Sequence, residues 1–193
     1  MNIMVSMWLN ILHTVGLNYA ERVLQSMGLV KLFWQICLLQ KGPQDVPSSP
    51  FFFQLMMIVY VVVSFLFLII IGGSVSYSLI YAVGEIALLY VCVRSLLAVV
   101  GFGYRYQQTL VAVLGTSLLL SSMVVIAFVW LDNSVPEDKP EALRMIQGVI
   151  SLWSFVVTGH IYRHALQTIL FVGILLGFVT MLFIAQILFS LTS

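Results

Sequence analysis

Long runs of apolar residues follow one another along the chain after residue 50, and short groups of glycine, proline and polar residues separate them. Five runs approach or exceed the roughly 20 residues that a helix needs to cross a hydrocarbon layer about 30 Å thick. They comprise residues 51–71, 75–100, 109–131, 143–162 and 168–191. A bilayer offers no partner to free backbone groups, and these runs are too long for barrel strands. Each run therefore predicts a transmembrane helix.

The connections between these runs are short, and the longest, residues 132–142, is acidic and holds two prolines. Short connections place consecutive helices side by side. The chain is therefore predicted to be an all-α, polytopic membrane protein. Its five-helix transmembrane bundle is predicted over residues 51–193, with a separate segment over residues 1–50.

The separate segment has a different pattern, in which polar residues recur every three or four positions. They are Asn2, Ser6, Asn10, His13 or Thr14, Asn18, Glu21 and Gln25. One polar stripe on an otherwise apolar helix predicts an amphipathic helix in the cytoplasmic membrane interface, with Trp8 as an interfacial anchor. Two alternatives stay open: residues 3–20 form a sixth span, or this helix packs against another subunit.

A second apolar piece, residues 29–39, carries Lys31 and Trp34 and is followed by Gly42-Pro43, which break the helix. About 11 residues are too few to cross a bilayer. Because tryptophan favours the membrane–water boundary, we expect Lys31 and Trp34 to anchor this piece at the interface.

Composition narrows the class of protein. Of the 193 residues, 62% are hydrophobic and 8% are charged, and the formal net charge is +1. So few charged side chains cannot cover the outside of a soluble protein of this length. This excludes a soluble enzyme and a disordered chain, and the small net charge excludes an extended nucleic-acid binder. We expect no nucleic acid among the partners.

The basic residues indicate an orientation. If the N-terminus is cytoplasmic, six basic residues lie inside and two lie outside. The inner set is Arg22, Lys31, Lys41, Arg94, Arg105 and Arg163, and the outer set is Lys139 and Arg144. The positive-inside rule therefore predicts a cytoplasmic N-terminus and an external C-terminus.

Glu85 is an acidic residue placed near the middle of the second predicted span. An ionised carboxylate is costly at that depth, so we expect a protonated, hydrogen-bonded side chain. Hydroxyl residues at similar predicted depth form a polar layer with it: Ser64, Ser121, Ser122, Ser151, Ser154 and Thr180. Two interpretations stay open, an ion or proton pathway and a hydrogen-bonded joint between helices.

Five basic or imidazole side chains fall near predicted cytoplasmic helix ends: Arg94, Arg105, His160, Arg163 and His164. His160 and His164 share a helix face, but no third ligand accompanies them as a metal site requires. We interpret the group as a basic collar that contacts lipid headgroups.

Small residues and motifs complete the sequence picture. Gly173 and Gly177 form a Gly-x-x-x-Gly pattern in the fifth span, which allows close helix contact within the bundle or at a dimer interface. Cys37 and Cys92 have no metal-binding or redox spacing and are interpreted as buried thiols. The chain holds no phosphate-binding loop, nucleophile motif or paired acids. We therefore expect no enzymatic activity, no cofactor and no bound metal.

Two stretches carry a family resemblance. Residues 105–115 read RYQQTLVAVLG, and WS at 153–154 is followed by GHIYRHAL at 159–166. They resemble the core of the Ypt/Rab-interacting protein (YIP) membrane family. In that family a Gln-Thr-x-x-x-x-x-Gly stretch opens the third of five spanning helices, and a Trp…Arg/His-Ala-Leu stretch joins the fourth to the fifth. The resemblance covers about residues 50–190.

The Asp-Leu-Tyr-Gly-Pro motif of eukaryotic members is absent, and only Gly42-Pro43 is similar to it. The chain is thus most similar to bacterial members, and binding of Rab-type GTPases is not carried over. The resemblance implies a non-enzymatic scaffold or accessory subunit, and we expect it in the bacterial inner membrane. Its expected partners are membrane lipids and other membrane proteins, in a larger complex or a homo-oligomer. The alternative is a transporter or channel subunit with a pathway around Glu85.

Overall fold

The computed structural model describes residues 28–70, 72–134 and 139–192. The predicted amphipathic helix with Trp8 and the question of a span over residues 3–20 lie outside these residues. Six α-helices are described: α1 Gly28–Cys37, α2 Pro50–Ile70, α3 Val75–Val99, α4 Tyr106–Ser134, α5 Lys139–Leu166 and α6 Leu170–Thr192. The all-α prediction is confirmed, and α2 to α6 are each long and apolar enough to cross a membrane.

The helix ends follow from local sequence. Pro50 begins α2, where the missing amide proton leaves no hydrogen bond unmade. Between α2 and α3 the chain turns at Gly72, whose φ of 96° favours glycine, and Ser74 then caps α3. The Ser74 hydroxyl accepts a hydrogen bond from the Tyr77 amide at 3.3 Å. Gly101, with φ of 84°, turns the chain out of α3.

The five long helices form a closed ring in which α2 packs on α3 and α4, and α6 packs on α3 and α5. Contacts between α4 and α5 close the ring, and α4 also contacts α3. The stretch Leu110–Leu114 of α4 is buried on every face, because α4 lies against several helices. By contrast, Met56 is the one fully buried residue of α2, and many of its apolar side chains, such as Ile58 and Leu66, are exposed on the outside of the bundle.

The closest helix contact joins α5 and α6. A Cβ atom at Gly173 would overlap the Gly159 carbonyl oxygen, and one at Gly159 would overlap the backbone of Ile174. A Cβ at Gly177 would stand 3.2 Å from a Thr158 methyl carbon. Small residues therefore allow the two backbones to touch. The Gly-x-x-x-Gly pattern lies at this contact within the bundle.

Candidate functional site

The helix α1 lies in the groove between α4 and α5. Its apolar face, formed by Leu32, Phe33, Ile36 and Cys37, is buried. Gly115 of α4 makes room for this face, because a Cβ atom there would overlap the ring of Phe33. The structure packs this face against the spanning helices, and the predicted position of the piece at the membrane interface stays a prediction.

A Schellman-type cap ends α1 and reverses the chain. The amide of Gln40 donates to the Gln35 carbonyl at 2.9 Å, and the amide of Leu39 donates to the Ile36 carbonyl at 2.9 Å. Leu39 takes the left-handed conformation, with φ of 61°, that glycine adopts more readily. A 3-10 turn, Pro43–Asp45, follows, and the Asp45 carboxylate accepts a hydrogen bond from the Gly42 amide at 3.0 Å.

Three side chains of α4 and α5 donate hydrogen bonds to the backbone of this returning chain. Trp153 Nε1 donates to the Cys37 carbonyl at 3.1 Å, and Gln108 Nε2 donates to the Val46 carbonyl at 2.9 Å. His160 Nε2 lies 3.0 Å from the Lys41 carbonyl. A carbonyl only accepts, so Nε2 of His160 must carry a proton in this arrangement.

These contacts fix the path of the chain. His160 lies seven residues beyond Trp153, about 10 Å nearer the C-terminal end of α5. Gln108 lies seven residues before Gly115, about 10 Å nearer the N-terminal end of α4. These two helix ends meet, because Gln108 and His164 line one small cavity. The chain from Cys37 to Val46 therefore runs out of the bundle toward this end.

The helix α1 runs the opposite way. Measured from the cavity that Gln108 and His164 share, Gly115 lies about 10 Å into the bundle and Trp153 about 16 Å. Phe33 contacts the first and Cys37 the second, so the C-terminus of α1 is its deep end. Residues 28–46 thus enter and leave at one end of the bundle, and we name them the re-entrant segment.

A re-entrant segment is costly in lipid unless protein satisfies its backbone. Non-helical backbone is tolerated at membrane depth only where protein or a water-filled cavity surrounds it. Gln108, Trp153 and His160 supply such partners at three points along the returning chain. The Cys37 side chain, at the turn of the segment, is 4% exposed.

The predicted collar residues lie at the end of the bundle where the re-entrant segment enters. The Arg94 guanidinium lies 5.0 Å from the ring centroid of Tyr106. That of Arg105 lies 5.0 Å from the ring centroid of Phe102, and Arg105 Nε donates to the Tyr104 hydroxyl at 3.1 Å. Arginine stacked on tyrosine suits the headgroup region.

Arg163 is exposed, whereas the histidines beside it are not. The rings of His160 and His164 stack edge to face, with centroids 4.5 Å apart. His160 is 5% exposed and is engaged with the re-entrant segment. Within the described residues, no cluster of three metal-ligating side chains is found. The predicted collar therefore has two parts. Its arginines lie at the surface, whereas His160 binds the backbone of the re-entrant segment.

On α1, Trp34 and Lys31 lie on the face that points away from the bundle, and Trp34 is 43% exposed. Lys31 lies toward the end of α1 at which the chain enters, so its charge is near the collar rather than at the deepest point.

Glu85 has a partner that the sequence did not single out. The Tyr60 hydroxyl of α2 donates a hydrogen bond to Glu85 Oε1 at 3.1 Å, so the pair joins α2 to α3. Ser64, one turn further along α2, lines the same cavity as Tyr60. The sequence did offer one signal for this pair, because Tyr60 lies near the middle of its helix, at about the depth predicted for Glu85.

The predicted serines gather around cavities that Tyr60 lines. Ser121, Ser151 and Ser154 line a cavity of about 320 Å³ between α2, α4, α5 and α6. Ser122 lines a second cavity of about 360 Å³ between α2 and α4, and its hydroxyl donates to the Leu119 carbonyl at 2.7 Å. Thr180 lines neither cavity, and its hydroxyl donates to the Leu176 carbonyl at 2.7 Å. The other predicted hydroxyl residues form cavity walls that meet Glu85 through Tyr60.

Of the residues that seat the re-entrant segment, only His160 was among the predicted site residues. Gln108, Gly115 and Trp153 entered the sequence analysis only as parts of the family resemblance. A signal was present, since an amide, an indole and an imidazole on helices that face each other can each donate to backbone carbonyls. The acceptors are backbone carbonyls of a distant segment, and every residue has one, so the sequence does not identify them.

No model of a protein family matches the chain, and no characterised protein and no solved structure matches it at a significant level.

Proposed function

We propose that this chain is a bacterial YIP-type protein of the inner membrane that acts as a non-enzymatic scaffold or accessory subunit. One observation carries the proposal. The residues on which the YIP resemblance rests, among them Gln108, Gly115, Trp153 and His160, are the residues that hold the re-entrant segment. Residues that hold a chain segment in a fixed position are expected in a protein that presents this part of its chain to a partner.

The geometry suggests how such a scaffold works. Anchoring residues 28–46 in the α4–α5 groove fixes the position of the first described residue, Gly28, at the end of the bundle that carries the basic collar. We assign this end to the cytoplasm, because it carries Lys41, Arg94, Arg105 and Arg163 against Lys139 and Arg144 at the other. Partners and anionic lipid headgroups would meet the protein there.

Co-purification tests the proposal. Full-length protein with a C-terminal tag is extracted from its native membrane in mild detergent, and its assembly is measured by native gel and mass spectrometry. We expect a defined larger assembly that is lost in His160→Leu and Gln108→Leu but kept in Gln186→Leu. Gln186 is an exposed glutamine of α6, remote from the seat. A strictly monomeric wild-type protein without partner would contradict the proposal.

A second candidate is a transporter or channel subunit, and the half-buried Tyr60–Glu85 pair, whose tyrosine lines a polar cavity, favours it. In this case Glu85→Gln would abolish flux of the transported ion in proteoliposomes while leaving the fold intact. Absence of flux in the wild type, or equal flux in the variant, would exclude it.

A further inference from the structure

Two cavities of different chemistry meet at Tyr60. The more polar one, about 320 Å³, is lined by hydroxyl and amide side chains together with apolar residues. Its polar residues are Tyr60, Ser117, Ser121, Gln147, Ser151 and Ser154. The second, about 360 Å³, is lined mainly by apolar side chains of α2 and α4. Tyr60, Phe67 and Ser121 line both, so the two cavities adjoin, and we name the pair the joint cavity, with a polar and an apolar part.

The polar part is built from matching faces of two helices. Ser117 and Ser121 are four residues apart on α4. On α5, Gln147, Ser151 and Ser154 are separated by four and then three residues, which is also the spacing of one helix face. Each set therefore lies on one face of its helix, and the two faces flank the cavity. Exposed serine and glutamine at membrane depth need hydrogen-bond partners that lipid tails do not provide.

The lining also limits the charge of a ligand. No lysine, arginine, aspartate or glutamate is among the residues that line either cavity. A charged headgroup would therefore lose its hydration without gaining a counter-charge, which is strongly unfavourable. Hydroxyl and amide groups can both donate and accept, and so suit an uncharged hydroxyl or carbonyl group.

The apolar part fits a hydrocarbon chain. Its wall includes Val63, Leu66, Ile70, Val125 and Ile126, which are exposed on the outside of the bundle. The opening thus faces the lipid phase, in the half of the bundle opposite the end at which the re-entrant segment enters. The size of each cavity falls in the usual range for ligand sites.

We propose that this joint cavity binds a neutral lipid whose head carries hydroxyl or carbonyl groups, such as a diacylglycerol. The head lies between α4 and α5 and contacts Gln147 and Ser121. It also contacts the hydroxyl oxygen of Tyr60, which donates its proton to Glu85. The chain extends along the groove between α2 and α4. The site is separate from the re-entrant seat and goes beyond the scaffold function, so either proposal can fail alone.

Photo-labelling tests the site. Full-length protein is reconstituted with trace diacylglycerol, phosphatidylglycerol or phosphatidylcholine, each carrying the same diazirine acyl chain, and labelled peptides are mapped. We expect diacylglycerol to label α2 and α4 at least fivefold more than either phospholipid. Excess unlabelled diacylglycerol should suppress that labelling. Equal labelling by the three lipids, or preference for phosphatidylglycerol, would overturn the proposal.

Matched variants locate the site. Gln147→Leu should lower diacylglycerol labelling at least fivefold, whereas Gln186→Leu, the same change on an exposed face of α6, should leave it unchanged. If Gln147→Leu fails to fold, the milder Ser151→Ala combined with Ser117→Ala is expected to lower labelling at least twofold. Equal effects of the site and control variants would refute the assignment.

Discussion

The hydrogen bond from Trp153 to the Cys37 carbonyl gives the sharpest test of the re-entrant segment. Trp153→Phe keeps most of the ring but removes the donor, so the carbonyl at the deep end of α1 loses its partner. A side-chain hydrogen bond at membrane depth contributes about 0.6–2 kcal/mol. The equilibrium by which the segment leaves its groove should therefore shift about 3- to 30-fold toward release.

Cys37 reports that release directly. In the seated state Cys37 is 4% exposed, so a thiol reagent reaches it only after the segment leaves its groove. The assay is the rate of maleimide labelling in proteoliposomes, in a Cys92→Ala background, so that one thiol remains. Trp153→Phe should raise this rate about 3- to 30-fold.

Trp34→Phe is the matched control, since Trp34 lies on the outward face of α1 and is 43% exposed. It should change the labelling rate less than twofold. The reasoning is refuted if Trp153→Phe leaves the rate unchanged, or if Trp34→Phe raises it equally.

Three further predictions concern helix packing and the buried acid. Gly173→Ala should lower the free energy of unfolding by about 1–3 kcal/mol in mixed-micelle titrations, because it overlaps α5, whereas Gly148→Ala, with open space around it, should not. Glu85→Gln should stay within about 0.5 kcal/mol of wild type, because it keeps an acceptor, but Glu85→Leu should lose about 0.6–2 kcal/mol. Equal losses would contradict the donated hydrogen bond. Gly115→Val should displace Phe33 and raise Cys37 labelling, and this effect should vanish in a Phe33→Ala background. Additive effects would contradict direct contact.

The spanning helices were predictable because hydrocarbon thickness sets their length. The predicted first and second spans differ from α2 and α3 by one residue at each end or less. The predicted third and fourth spans stop short of the ends of α4 and α5, which extend to Ser134 and from Lys139 into the polar connection. A helix can continue past the bilayer into water, and hydropathy does not mark where it ends.

The candidate site was harder to predict. Glu85 stands out because an acid is rare at that depth, but which side chain of another helix pairs with it depends on how the helices pack, so Tyr60 was not identified as its partner. The seat of the re-entrant segment depends on Trp153 and Gln108 meeting carbonyls more than 60 residues away in the chain. Such pairings come from the order in which helices pack, which hydropathy alone does not contain.

The depth of residues 28–46 in the bilayer tests the central claim most directly. Spin labels at Val30, Leu38 and Gln44, each exposed at a different point of the segment, report depth by their relative accessibility to oxygen and a nickel chelate in proteoliposomes. The re-entrant path predicts that Leu38 is the deepest and that Val30 and Gln44 are both shallower. Depth that changes steadily from Val30 to Gln44, or three labels at the surface, would contradict it.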